Sequence, residues 1–263
     1  MKIDSLPTIE AFAEIEMLED VVSSCVLGNS RFAVGTIDGK LQIFEIDNLL
    51  QDADFDSAII SIIESDEEVI AASTTGLIKS LNESPSWQHE IQSGIEHMIS
   101  LGDTICISDT SGSIIFLNSK GDKQGTQSHG DVDRLVHSVD CGYFAIAKTD
   151  GTLLLSSKSG KILQESFADP EDVETISQIC FRSDGILLAC RDSLGMTLDE
   201  RPENRLECWH PQRGLLHTTE LPAMATSILA TEDGAIVGCQ NGAILRFRIG
   251  KDVEELLIVD NSV

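Results

Sequence analysis

A short polar turn ending in glycine recurs along this chain, and its spacing restricts the fold more than any other feature. In GTIDGKLQIFE the turn residue is Gly39. The same place is held by Gly76 in TTGLIKSLN, Gly112 in TSGSIIFLN, Gly151 in TDGTLLLSS and Gly242 in QNGAILRFR, and by Asn204 in ENRLECWH. Successive steps are 37, 36, 39, 53 and 38 residues, and a period of about 20 to 50 residues marks a solenoid, an array or a propeller. The long step contains an insertion at 193–203, SLGMTLDERPE, of about the length that restores the period.

Each repeat places one apolar run before a polar turn, a second run with small residues before the glycine turn, and a third run after it. The first runs are VVSSCVL, AIISII, EHMISL, DRLVHSV, ISQICF and ATSILA; the second are RFAVGT, VIAAST, TICISD, YFAIAK, ILLACR and AIVGCQ. Runs this short, rich in Ile, Val and Leu and bounded by Gly, Asp, Asn and Ser, are strands rather than helices. Gly or Asn in the slot supplies the positive φ that a two-residue hairpin turn demands. The chain therefore repeats one antiparallel hairpin unit six times, and the fold class is all-β.

Five positions after the turn residue stand Phe44, Leu81, Leu117, Ser156, Trp209 and Phe247, followed by Glu45, Asn82, Asn118, Ser157, His210 and Arg248. In this the units resemble WD repeats, whose blades carry a small residue, x, Asp-Gly, x, aliphatic, x, aliphatic, Trp-Asp. The resemblance spans about residues 21 to 250 and is degenerate. No unit has the full Trp-Asp dipeptide and the Gly-His ahead of the first strand is missing, so the buried His/Asp network of well-formed blades is not expected. Quinoprotein-type propellers share part of the pattern, as in SSKSGKILQ, without their regular Trp.

The resemblance implies a single closed β-propeller over 21–263, of six blades, or seven if both termini build a partial one. Residues 1–20 form a leading segment. Outer strands are expected in WQHEIQ, KILQESF, LLHTTEL and EELLIVD. A ring leaves exposed edges unless one chain end completes the blade of the other, so either AFAEIEML or EELLIVD is expected to be the closing strand.

Charge narrows the partners. Lys and Arg number 18 against 44 Asp and Glu, a formal net charge of −26. Phosphate backbones and anionic lipid are drawn to Lys/Arg clusters, which argues against nucleic acid and membrane surfaces as direct ligands. The acidity serves either solubility, including in a high-salt cytoplasm, or docking of a basic partner. No apolar run approaches the roughly 18 residues of a membrane helix. The N-terminal MKIDSLPTIEAFAEIEMLED lacks the apolar core and basic flank of a signal or transit peptide, so an intracellular location, cytoplasmic or nuclear, is expected. Seven Cys without a C-x-x-C pair fit a reducing compartment. Cys106, Cys180, Cys190 and Cys239 lie in apolar runs and read as buried structural thiols.

The phosphate-loop, nucleophile-elbow, zinc-protease and dinucleotide signatures are all absent from the sequence. The six His have no Cys or carboxylate at a spacing that completes a tetrahedral metal set. Asp131 and Asp133 in HGDVDRL, near His129, have the chemistry to hold Ca²⁺ or to act as an acid/base pair, but they read as a solvated loop before a strand, which needs no such role. Trp87 and Trp209 are expected to pack between blades. No cofactor, metal or catalytic residue is expected.

In an antiparallel four-stranded blade the glycine turns, the insertion and the interblade linkers share one face. The linkers contribute Asp52, Asp54 and Asp56, then Asp131 and Asp133, then Asp169, Glu171, Asp172 and Glu174; the insertion adds Asp199, Glu200 and Glu203, with Arg201 and Arg205 between them. Loops on a rigid scaffold are where binding residues concentrate. The expected partner-binding set is Asp169, Glu171, Asp172, Asp199, Glu200, Arg201 and Glu203. The expected function is a noncatalytic interaction scaffold, a subunit of a larger complex, presenting an acidic face to a basic peptide or assembly subunit. The alternative is a propeller enzyme or small-ligand binder of quinoprotein type.

Overall fold

The computed structural model describes residues 15, 17, 19–28, 30–65, 68–81, 87–138, 140–169, 173–193, 203–248 and 254–258. Two compact units follow one another, Met1–Gly94 and Ile95–Val263. The first contains one sheet of β1 (Val21–Leu27), β2 (Arg31–Thr36), β3 (Lys40–Glu45) and β4 (Asn48–Asp54), and another of β5 (Ile59–Ser65), β6 (Glu68–Ser73), β7 (Leu77–Ser80) and β8 (Gln88–Glu90). The second unit contains four sheets. Two are β9 (Ile95–Ser100), β10 (Thr104–Asp109), β11 (Ser113–Asn118), β12 (Lys123–Ser128), and β13 (Val132–Ser138), β14 (Tyr143–Lys148), β15 (Leu153–Ser157), β16 (Ile162–Ser166). The others are β17 (Glu174–Phe181), β18 (Leu187–Ser193), β19 (Asn204–His210), β20 (Gly214–Leu221), and β21 (Ala225–Thr231), β22 (Gly234–Cys239), β23 (Ala243–Arg248), β24 (Glu254–Ile258).

All described pairs are antiparallel, and each sheet consists of four strands consecutive in sequence. The four expected outer strands are β8, β16, β20 and β24. EELLIVD thus supplies the outer strand of its own sheet rather than completing a sheet begun at the other terminus, because its register partner is β23. The other closing candidate, AFAEIEML, lies outside the described residues except for Ile15 and Met17. Two further outer strands lack apolar alternation: β4 is NLLQDAD and β12 is KQGTQS. Asp52 and Asp54 therefore belong to a strand, not to a linker.

The glycine turns differ in detail from the expected two-residue hairpin. β2 stops at Thr36 and β3 starts at Lys40, so the loop has three residues, and Gly39 N–H donates to Thr36 O at 3.3 Å. Gly76, Gly112, Gly151 and Gly242 donate in the same way to Ser73, Asp109, Lys148 and Cys239. φ is 90° at Gly39, 106° at Gly76, 78° at Gly112, 77° at Gly151 and 85° at Gly242. A type I turn closed by a left-handed residue preserves the strand twist, and glycine adopts that residue's conformation without steric cost. Asn204 does not play this part. It opens β19 opposite Asp192 and is not among the residues of positive φ.

The second and third strands of each sheet carry most of the core: every residue of LLACRDS in β18 is buried, as are all but the first of TICISD in β10 and all but the last of LLLSS in β15. Ala and Cys in these strands permit close approach of sheets on both faces. In the first unit Leu27, Ala33, Leu41 and Ile43 pack on Ile59, Ile62, Val69 and Ala71. In the second, three clusters join β9–β12 to β13–β16, β13–β16 to β17–β20, and β17–β20 to β21–β24. Trp209 packs in the middle one, between sheets. All seven cysteines are free; Cys106, Cys190, Cys208 and Cys239 are buried and Cys180 is half-buried. Burial pushes the Cys180 thiol up to about 11 and raises those of Cys106 and Cys190, so these groups remain protonated thiols.

One regularity has no counterpart in the sequence pattern. Each pairing of first and second strand has a bulge near the start of the first strand, at Val21/Ser23, Ile59/Ser61, Ile95/His97, Val132/Arg134, Ile176/Gln178 and Ala225/Ser227. A bulge adds local twist and re-aims the strand end, here next to the linker that enters each sheet.

Candidate functional site

The glycine turns and the linkers meet through hydrogen bonds. The N–H groups of Phe55, Ile91 and His129, each the first residue after an outer strand, donate to the carbonyls of Gly39, Gly76 and Gly112 at 2.8, 3.0 and 2.9 Å. Turn and linker therefore share one end of their sheet, as the blade geometry requires. At the fourth glycine the donor changes: the Gly151 carbonyl accepts from Arg191 Nη1 at 2.7 Å.

Arg191 is the centre of a buried ionic network. Its side chain is 0% exposed and sits 3.3 Å from Glu174 Oε2 and 3.1 Å from Glu207 Oε1. Arg205 joins the same two carboxylates, at 2.6 Å to Glu174 Oε1 and 2.9 Å to Glu207 Oε1. The remaining valences are filled as well. Arg191 Nη2 donates to Ser166 Oγ at 3.1 Å, Trp209 Nε1 to Glu207 Oε2 at 3.0 Å, and the Asp169 N–H to Glu174 Oε2 at 3.0 Å. Two cations face two anions, so the network adds no net charge to the surface above it. Buried charges persist in this form only when they are paired and hydrogen-bonded.

The network adjoins the two described ends of the insertion. β18 ends at Ser193 and β19 begins at Asn204, and the base of the excursion is closed by Ser193 N–H donating to Glu203 O at 2.7 Å. Arg191 and Arg205 sit directly opposite each other in the β18–β19 register.

Next to Arg191 on the strand, Asp192 faces the other way. It is 1% exposed, and neither carboxylate oxygen makes a well-formed hydrogen bond among the described residues, although Ser177, the Ala225 N–H and the Arg205 charge stand near enough to offset part of the burial. Burial raises its pKa above the ordinary carboxylate value. A carboxyl group whose pKa is higher folded than unfolded destabilises the fold wherever it is ionised, and that penalty disappears below the unfolded value. Asp192→Asn is therefore expected to raise stability by about 1–3 kcal/mol at pH 7. Urea midpoints of the variant and the parent should converge as the pH falls to about 4; a gap that stays constant from pH 4 to 8 would refute the assignment.

The sequence-derived acids fall into three groups. Asp169 and Glu203 are exposed beside the network. Glu171, Asp172, Asp199, Glu200 and Arg201 lie outside the described residues. Glu174, counted among the face acids, is withdrawn into the network, as is Arg205, because β17 begins at Glu174 and turns its side chain inward. Asp133 also belongs to a strand, β13, where it pairs with Arg134 at 3.4 Å. His129 is half-buried with Nε2 3.3 Å from Gln127 Oε1, and burial, then Lys148, lowers its pKa. Among the described residues no three His, Cys, Asp or Glu side chains converge as a metal-binding group, and no helix is long and apolar enough to cross a membrane.

No protein-family model matches the chain, and no curated protein matches it in sequence. Solved structures do match. The β-propeller domain of Cps50 (Swd1) from Myceliophteria thermophila aligns with TM-score 0.64 at 10% identity, covering 94% of this chain and 88% of that one. The WD40 β-propeller domain of Doa1 aligns with TM-score 0.57 at 17% identity over 82% and 74%. BamB from Moraxella catarrhalis aligns with TM-score 0.54 at 12% identity over 89% of each chain. Identities this low carry the fold alone, and the fold of this chain is that of a divergent WD-repeat-like β-propeller.

Proposed function

We propose that the chain is a noncatalytic protein-interaction scaffold, a subunit of a larger complex, whose acidic turn-and-linker face receives a basic peptide or a basic surface of an assembly subunit. One observation carries this reading: exposed Asp169 and Glu203 flank a charge-balanced, fully bonded network that holds the turn, the linker and the base of the insertion together. Such a base presents loop carboxylates on a rigid support, which lowers the ordering cost of binding. Glu171, Asp172, Asp199, Glu200 and Arg201 belong to the same linker and insertion in sequence.

Exposed carboxylates steer a cationic partner and are screened beyond about 8 Å at physiological ionic strength. The partner recovered from native extract on the immobilised chain is titrated at low and high salt against the parent and a variant with Asp169, Glu171, Asp172, Asp199, Glu200 and Glu203 changed to Asn or Gln. Weaker binding and a flatter salt dependence are expected in the variant. Equal affinity at both salts would overturn the acidic face as the docking surface.

A further inference from the structure

Within the second unit, the turn between β14 and β15 and the described part of the linker from β16 to β17 border a cleft of about 440 Å³. Thr149, Asp150 and Thr152 line it from the turn, and Phe167, Asp169 and Val173 from the linker. The cleft thus lies where turn and linker meet at the sheet ends, not between sheet faces. Its two walls are fixed to each other. A Cβ at Gly151 would stand 2.5 Å from the Glu174 carbonyl oxygen and 2.9 Å from Ala168 Cβ, so the turn packs directly on the linker. Arg191 ties the same turn to the buried network through the Gly151 carbonyl, at 2.7 Å.

Two apolar side chains stand open in this cleft. Phe167 is 68% exposed, and among the described residues it is the one aromatic side chain in the exposed range. Val173 is exposed as well. A phenylalanine left in water forgoes about 1.5–3 kcal/mol of burial, and two such side chains in one fixed cleft form a surface that a partner can cover. The remaining lining is polar or acidic, with Asp150 and Asp169 both exposed. Asp150 is held in position, its Oδ1 accepting the Thr152 N–H at 2.9 Å and its Oδ2 the Lys148 ammonium at 3.1 Å. A carboxylate accepts at about four lone-pair sites, so it can take a further donor.

We propose that this cleft seats an arginine of the basic partner, its guanidinium stacked on the Phe167 ring and paired with Asp150, its methylene stem along Val173; the proposal rests on the acidic-face function and specifies the side chain that face receives. A ring face beside a carboxylate favours arginine over lysine. The guanidinium is planar and weakly hydrated, so it stacks on an aromatic face while its fork of N–H donors meets a carboxylate in bidentate fashion. The lysine ammonium is a compact, strongly hydrated charge that gains less from the ring. Charge also decides against a second copy of the chain as the occupant, since that copy carries −26 and brings like charge to Asp150 and Asp169.

The test uses the full chain and two fluorescein-labelled peptides, one of alternating Arg and Ala and one with Lys at every Arg position. The parent is expected to bind the Arg peptide about three- to fivefold more tightly. Phe167→Leu keeps an apolar side chain and removes the ring face. It should bring the Arg peptide down to the affinity of the Lys peptide, leave the Lys peptide unaffected, and melt with the parent because the ring is mostly exposed. Asp150→Asn should weaken the Arg peptide more than the Lys peptide, since only the guanidinium pairs in bidentate fashion. Equal affinities of the parent for the two peptides, a preference that survives Phe167→Leu, or an Arg-peptide affinity unchanged in Asp150→Asn would overturn the arginine seat and leave the acidic face standing. Asp150 is not among the six acids changed in the variant that tests that face. A preference lost in Phe167→Leu, together with a six-acid variant that binds as the parent does, would therefore uphold the seat and overturn the wider acidic face. Binding of neither peptide would overturn both.

Discussion

Replacing Arg191 with Met is expected to lower the unfolding free energy by about 3–5 kcal/mol. The substitution leaves Glu174 and Glu207, which are 4% and 5% exposed, to share one guanidinium, that of Arg205. It also strips the Gly151 carbonyl and Ser166 Oγ of their donor. An uncompensated buried carboxylate costs far more than the loss of a surface pair, for which the median is about 0–1 kcal/mol. Because the four charges act as a unit, Glu207→Gln in the Arg191→Met background should cost less than Glu207→Gln alone, a coupling that a double-mutant cycle measures directly. Urea unfolding followed by Trp fluorescence reports on the site, since Trp209 donates to Glu207. A midpoint for Arg191→Met within experimental scatter of the parent would show that the network is not buried as described.

The second large effect is expected at Gly76. Its φ is 106°, and a Cβ placed on it would stand 1.8 Å from the carbonyl oxygen of Ile91, the linker residue whose N–H binds the Gly76 carbonyl at 3.0 Å. Gly76→Val thus combines an unfavourable φ with a clash against backbone, which cannot swing aside as a side-chain tip can. The expected cost is about 3 kcal/mol or more. Gly102 separates the two causes: φ is 79° there but nothing lies within 4 Å of the Cβ position, so Gly102→Ala should cost only about 1 kcal/mol. Equal losses in the two variants would mean that the linker does not press on the turn.

These two sites differ in how legible they were. The glycine slot was readable because positive φ is a local demand that one residue type meets, and the demand recurs at a fixed period. The ionic network left a fainter trace. Arg191 and Asp192 continue the apolar run ILLAC, in a strand whose every residue is buried. A charge pair at the end of such a run signals buried ionic partners, yet it does not identify them. Glu174 lies 17 residues before Arg191 and the Gly151 carbonyl 40 before it. Only the registers of β17 with β18 and the packing of β13–β16 on β17–β20 bring them together.

The sequence by itself determined the all-β class, the six hairpin units, the left-handed glycines and most outer strands, because each rests on alternation, period and backbone sterics that act within a few residues. It also revealed the acidity of the chain without locating it. Tertiary structure decided which carboxylates remain at the surface. Glu174 was drawn inward by two guanidinium groups, Asp52, Asp54 and Asp133 fell on strands, and Asp169 and Glu203 stayed exposed. It also decided the stacking of Phe32 on Phe44 across two strands of the first sheet. Both outcomes depend on desolvation and pairing between residues far apart in sequence, where the free energy of a charge or a ring is set by its neighbours and not by its own repeat.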